Sequence, residues 1–132
     1  AQASLATQQE GQLARWAGMY TGHWSGVGRQ QLSYQNYSIN ENETTAYFSR
    51  VYTGGGLVDI LELQELARAQ ADTPTVAVGM ILEGLTMGTA ASLWGDLPYS
   101  EAGQGQDNLT PRLDEQREVY ARVIAKLDTA AG

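Results

Sequence analysis

Between Thr75 and Trp94 the chain reads TVAVGMILEGLTMGTAASLW, apolar almost all round, with Glu83 its only charge. A helix without a polar face belongs either in the middle of a helical domain or in a bilayer. Twenty residues are long enough to span, and Gly84-x-x-x-Gly88 fits a membrane dimer motif. Insertion energetics favour the soluble reading. A central Glu costs about 2.5–3.5 kcal/mol on an insertion scale, and no Lys or Arg flanks either end closely. The segment is therefore expected to be central and largely buried. Gly79, Gly84, Gly88, Ala90 and Ala91 would admit neighbouring helices. Glu83 then needs a partner, with Arg15, Arg50 and Arg68 as candidates.

The other segments show a helical period. Residues 3–20 place Leu5, Leu13, Trp16, Ala17 and Tyr20 roughly on one face, with Gly22 as the stop. Residues 44–52 carry Tyr47, Phe48, Val51 and Tyr52. Gly54-Gly55-Gly56 follows, where either the helix breaks or close packing needs bare backbone. Residues 57–71 turn Leu57, Ile60, Leu61, Leu66 and Ala67 inward. Thr73 and Pro74 then read as an N-cap and a first helical residue. The last helix is expected over about 114–130, capped by Asp114. Val119, Tyr120, Val123, Ile124 and Leu127 form its apolar stripe, opposite Arg117, Glu118, Arg122 and Lys126. Residues 22–43 show little helical periodicity and read as the longest irregular stretch. No strand pattern appears. The expectation is an all-α fold of antiparallel helix pairs.

Composition narrows the function. Eight basic and fifteen acidic residues give a net charge of −7, which argues against nucleic acid and against anionic lipid as partners. There is no Cys and one His, so thiolate chemistry and multi-histidine metal sites are excluded. No metal or cofactor is expected.

The stretch LWGDLPYSEA, residues 93–102, ends the apolar helix. Gly95 suits a left-handed helix ending, and Leu97 before Pro98 is pushed to extended backbone. The chain turns sharply, and Trp94, Leu97 and Tyr99 can fold back on apolar surface. Asp96 can bond backbone groups in such a turn. Asp96 with Glu101 could also be read as a catalytic carboxylate pair, but no nucleophile or substrate-polarising group stands beside them.

These residues carry a resemblance. A small-residue helix, then Trp94, Gly95, Asp96, Pro98, Tyr99, Glu101 and Ala102 in order, a Gly/Pro loop with Pro111, and LDEQREVYARVIAKLDTA together resemble the SusD/RagB family, more narrowly its SusD-like branch. The likeness is specific over residues 76–130, looser over 44–71 and weak over 1–43. The triple glycine and Arg112-Leu113 depart from the family pattern. The resemblance implies a tetratricopeptide-like helical scaffold at the outer-membrane surface of Bacteroidetes-type bacteria. It implies a lipoprotein that captures oligosaccharide, or peptide in the RagB-type case, and hands it to a SusC-like TonB-dependent transporter. It implies a binding protein and not an enzyme. Family chains are longer and carry an anchoring Cys, so residues 1–132 correspond to part of such a protein, attached to the membrane only through a lipid anchor that this chain does not include. The motif Trp94, Gly95, Asp96, Pro98, Tyr99 is scaffold in this reading.

Sugar sites combine aromatic faces with polar side chains. His23, Trp24, Tyr34 and Tyr37, among Arg29, Gln30, Gln31, Gln35 and Asn36, have that composition and are the candidate ligand contacts. The rival is that these rings only pack the segment onto the helices. Rival functions are a helical-repeat module that binds protein, and a small hydrolase using Asp96 and Glu101.

Overall fold

A computed structural model describes all 132 residues. It is all-α, as the pattern predicts. The helices are α1 (Gln2–Gln8), α2 (Ala14–Tyr20), α3 (Arg29–Gln35), α4 (Glu41–Tyr52), α5 (Leu57–Ala69), α6 (Thr73–Trp94) and α7 (Gln116–Ala131). A widened turn over Gln9–Leu13 joins α1 to α2, with Gly11 outside helical backbone (φ −88°, ψ −118°).

α6 packs between α5 and α7. Its glycines make the approach possible. A Cβ at Gly79 would lie 2.6 Å from Gln64 Cγ on α5, and one at Gly84 would lie 2.9 Å from Leu127 on α7. The Gly84-x-x-x-Gly88 motif therefore serves a contact inside the chain. Gly88 faces Val123, and Gln116 Nε2 donates to Ala91 O at 2.7 Å. Ascending positions on α6 meet descending positions on α7, so the pair is antiparallel.

Two cores result. The larger gathers Val51, Leu57, Met87, Ala90, Ala91, Leu97, Tyr99, Val119 and Val123. The smaller holds Trp16, Met19 and Tyr34. α4 spans both, with Tyr47 against the small core and Phe48 and Tyr52 against the large one. The glycine run breaks the chain between α4 and α5. A Cβ at Gly56 would lie 2.4 Å from the carbonyl oxygens of Arg50 and Val51, so the close approach needs glycine there. α1 and the turn after it are tied on by polar contacts: Ser4 Oγ to Gly54 O and Gln8 Nε2 to Arg50 O from the helix, and Gln9 Nε2 to Thr89 Oγ1 from the turn, each 2.9 Å.

Several local expectations are corrected. Asp72, not Thr73, caps α6, accepting from Thr75 N–H (3.2 Å) and Oγ (2.6 Å). α4 starts at Glu41 behind an Asn40–Glu43 capping box. The segment read as irregular contains α3, whose only buried residue is Tyr34. Its sequence has no apolar stripe, and packing on Trp16 holds it. Leu66 and Ile124 face outward, 55% and 59% exposed, while Gln64 and Lys126 turn inward to Glu83. α6 is buried where α5 and α7 cover it. Val78, Ile81, Leu85 and Leu93 form a stripe between 40% and 51% exposed.

Candidate ligand-binding site

The motif after α6 is a structural clasp. Gly95 takes φ +75° at the helix end, a region costly for other residues. Leu97 and Asp114 exchange backbone hydrogen bonds of 3.2 and 3.0 Å. The Asp114 carboxylate accepts from Tyr99 N–H and Ser100 N–H and from Ser100 Oγ (2.9, 2.5 and 2.7 Å). Arg112 pairs with it at 3.0 Å. Burial pushes the Asp114 pKa up, but the bonds from Ser100 and Tyr99, with Arg112, outweigh it and hold the group below its ordinary value. Asp114 is thus withdrawn from the capping role expected of it. Asp96 takes that role from the other end of the loop, accepting from Gln116 N–H at 2.9 Å.

The remaining motif residues are also engaged. Trp94 lies edge-on to Phe48, centroids 5.4 Å apart. Pro98 O accepts from Tyr52 Oη at 2.9 Å. Burial, with Asp114 nearby, pushes the Tyr52 phenol up to about 12. Glu101 accepts from Asn108 Nδ2 and Arg112 N–H. Asp96 and Glu101 each have structural partners, and neither is set beside a nucleophile.

Glu83 lies at the centre of the large unit, 1% exposed. Its Oε1 accepts from Tyr99 Oη (2.8 Å) and Lys126 Nζ (2.5 Å), and its Oε2 from Gln64 Nε2 (2.7 Å). None of the three arginines expected as partner reaches it. Arg68 contributes one step removed, donating to Gln64 Oε1 at 2.9 Å. Burial, and the charge of Glu83 beside it, push the Tyr99 phenol well above its usual range, so Tyr99 stays a donor. The signal missed in the sequence is Lys126, seven residues after Val119 on α7 and next to Leu127. Its reach along α6 depends on packing, which no period reveals.

The aromatic candidates gather around the end of α2. The His23 and Trp24 N–H groups both donate to Gly18 O, at 2.8 and 3.1 Å. The Trp24 ring lies on Gly18, where a Cβ would approach it to 2.8 Å, and it remains 53% exposed. His23 is exposed, its Nδ1 2.8 Å from Thr21 Oγ1. Tyr37 stacks on Tyr20 with centroids 4.8 Å apart, and its Oη donates to Tyr20 O at 3.2 Å. It is 68% exposed. Tyr34 differs: it is buried, edge-on to Trp16 at 5.8 Å, and offers no face to solvent. Gln35 Oε1 accepts from Gly26 N–H at 2.6 Å and braces the turn. Gly18 and Tyr20 lie two residues apart, so Trp24 and Tyr37 are anchored on different sides of the last turn of α2. Two open rings and an exposed histidine thus lie about the end of α2, Trp24 on one side of the turn and Tyr37 on another, while Tyr34 lies inside against Trp16.

Comparison with protein families gives a match over the whole chain. The SusD-like family, described as starch-binding and associating with the outer membrane, covers residues 1–132. The chain belongs to the SusD-like family. The match includes the N-terminal 43 residues, where the resemblance by motif is weakest. As a SusD-like protein it is associated with the outer membrane at the cell surface, in a family of glycan-binding proteins and not of enzymes. Residues 94–99 of this SusD-like chain are held by contacts within it, Trp94 to Phe48, Asp96 to Gln116, Leu97 to Asp114, Pro98 to Tyr52 and Tyr99 to Glu83. Among curated proteins the chain has no significant match.

Proposed function

We propose that this SusD-like protein captures an oligosaccharide at the cell surface and passes it to a TonB-dependent transporter of the SusC type. The observation that carries the reading is the pair of half-open rings, Trp24 and Tyr37, on a helix end, in a chain matched throughout by a starch-binding family. Aromatic faces stack on the C–H faces of sugar rings, and the neighbouring Gln and Asn side chains supply hydrogen bonds. His23 is exposed next to Trp24, and Tyr34, buried against Trp16, belongs to the small core that holds α2 and α3 together. In this reading the 132 residues are one helical part of a longer lipid-anchored receptor, and the exposed apolar stripe of α6 is where further chain packs.

Titration of the protein with maltooligosaccharides, followed by tryptophan fluorescence and calorimetry, tests the capture step. Trp24→Ala and Tyr37→Ala should each weaken binding about tenfold or more, a loss of roughly 1.4 kcal/mol, with unchanged helical circular dichroism. Binding that survives both substitutions removes the patch from the site. Isolation of the tagged full-length protein from outer membranes tests the handover. A β-barrel transporter should co-purify, and recovery without one counts against the partnership. Tight binding of peptides in place of oligosaccharides would move the protein to the peptide-capturing kind.

A further inference from the structure

A second cavity, apart from the aromatic patch, opens between α5, α6 and α7, with a volume of about 460 Å³. That is the size range of small-ligand sites. Leu61, Met80 and Ala102 supply apolar wall, and Glu83, Arg122 and Lys126 supply charge. Glu83 is already satisfied by Tyr99, Gln64 and Lys126, which also neutralises it. Arg122 makes no hydrogen bond or ion pair within the chain, so its charge faces the cavity unopposed. Lys126 uses one of its three donors on Glu83. The cavity therefore carries a net positive charge in a chain whose net charge is −7.

The arrangement selects by charge and by shape. A free guanidinium presents a planar fork that fits a carboxylate through two parallel hydrogen bonds. The apolar wall suits the C–H face of a ring, and the volume admits one sugar unit. We propose that this cavity binds a carboxylated sugar, a uronic acid residue, with Arg122 on the carboxylate and Lys126 as a second donor. Glu83 holds Lys126 in place and keeps anions from crowding deeper. The choice of a sugar rests on the glycan-capturing reading above. The choice of a carboxylate rests on Arg122 alone.

Titration with glucuronate, watched by amide chemical shifts and calorimetry, tests the site. Glucuronate should shift amides of α6 and α7 near Met80, Glu83 and Arg122, and its affinity should fall as salt rises. Glucose should bind at least about tenfold more weakly, because a charged hydrogen bond is worth roughly 1.5–3 kcal/mol. Arg122→Gln should reduce glucuronate affinity by about the same factor without changing the melting temperature, since Arg122 has no partner to lose. Lys126 is left in place because it neutralises Glu83. Equal binding of glucose and glucuronate, glucuronate binding unchanged in Arg122→Gln, or acetate binding as well as glucuronate each overturns the proposal. Trp24→Ala separates the two sites: loss of maltooligosaccharide binding in that variant, with glucuronate binding intact, leaves both readings standing on their own evidence. Failure of glucuronate alone removes only this one.

Discussion

Around Trp16 the protein relies on rings, and around Glu83 it relies on a buried ion. The small core has three buried side chains, two of them aromatic, packed edge-to-face with Tyr47 as well. The Trp16 indole N–H is buried there and meets no partner in hydrogen-bonding geometry. α2 and α3 are short, and neither has a side-chain cap. The large core has nine buried residues, and a carboxylate inside it whose oxygens are all engaged. The α4–α5 junction and the connection after α6 are fixed by side chains reaching across the sequence, Ser4 and Gln8 at the first and Asp96 and Asp114 at the second. The difference separates labour. A rigid, fully bonded unit carries the fold, while a lightly held one presents open rings to solvent. Ligand contacts are drawn from regions of low local stability as a rule.

Core truncations should expose the contrast most strongly. Tyr34→Ala is expected to cost about 3–5 kcal/mol locally and Met87→Ala about 2–5 kcal/mol globally. Native-state hydrogen exchange should show Tyr34→Ala releasing amides of residues 14–37 while α6 stays protected. Met87→Ala should lower protection throughout. Equal losses in α6 from both substitutions would erase the distinction between the two cores.

Next in size is the ion. Lys126→Met leaves Glu83 buried beside neutral groups and should destabilise by about 3 kcal/mol, the low end for a broken buried pair because Lys126 is partly exposed. Adding Glu83→Gln should recover part of the loss, because the charge is then gone. Denaturant melts of the two variants decide this, and a double variant less stable than the single one would show that the ion itself stabilises the fold. Gly56→Ala comes third. Its methyl group would meet two carbonyl oxygens, so a loss of about 1–3 kcal/mol is expected. A melting temperature unchanged by this substitution would mean that the α4–α5 junction is loose.

The smallest effect is that of acid. Asp114 has a depressed pKa in the folded state. The stability it confers is complete above the unfolded aspartate value near 3.9 and is lost as pH falls through the lower folded value. Acid titration of stability should therefore be flatter below about pH 4 in Asp114→Asn than in the parent. Parallel curves would remove Asp114 from the acid response.

The helical period located the large unit because its stripes are long and apolar. The same reasoning placed Leu57, Ile60, Val119 and Val123 inside, and Gly95 at a helix end. It failed wherever a polar residue made the decisive contact. Lys126 sits on the side of α7 that period assigns to solvent, yet its four-carbon stem carries the charge back to Glu83. Asp114 occupies a cap position in sequence and serves another loop in space. α3 has no period, since one tyrosine anchors it. At the candidate site, composition alone drew attention to the segment 22–43. It could not separate Tyr34, which faces inward, from Tyr37, which faces outward, because both are isolated tyrosines among polar residues.

The clasp between Leu97 and Asp114 has a consequence for how the molecule can be altered. Both ends of the 95–115 connection are tied: Asp96 to Gln116 at the rim, and Leu97 to Asp114 just inside it. The tip between them, Gly103–Asp107, is exposed and bonded chiefly to itself. Closure entropy grows only slowly with loop length, by about 0.6 kcal/mol for each doubling. Residues inserted at Gly105 should leave the helices in register, because the ends no longer depend on what lies between. The tip is a socket for grafted sequence, whether a reporter tag or a recognition loop of another protein, set on a scaffold that need not be redesigned to receive it.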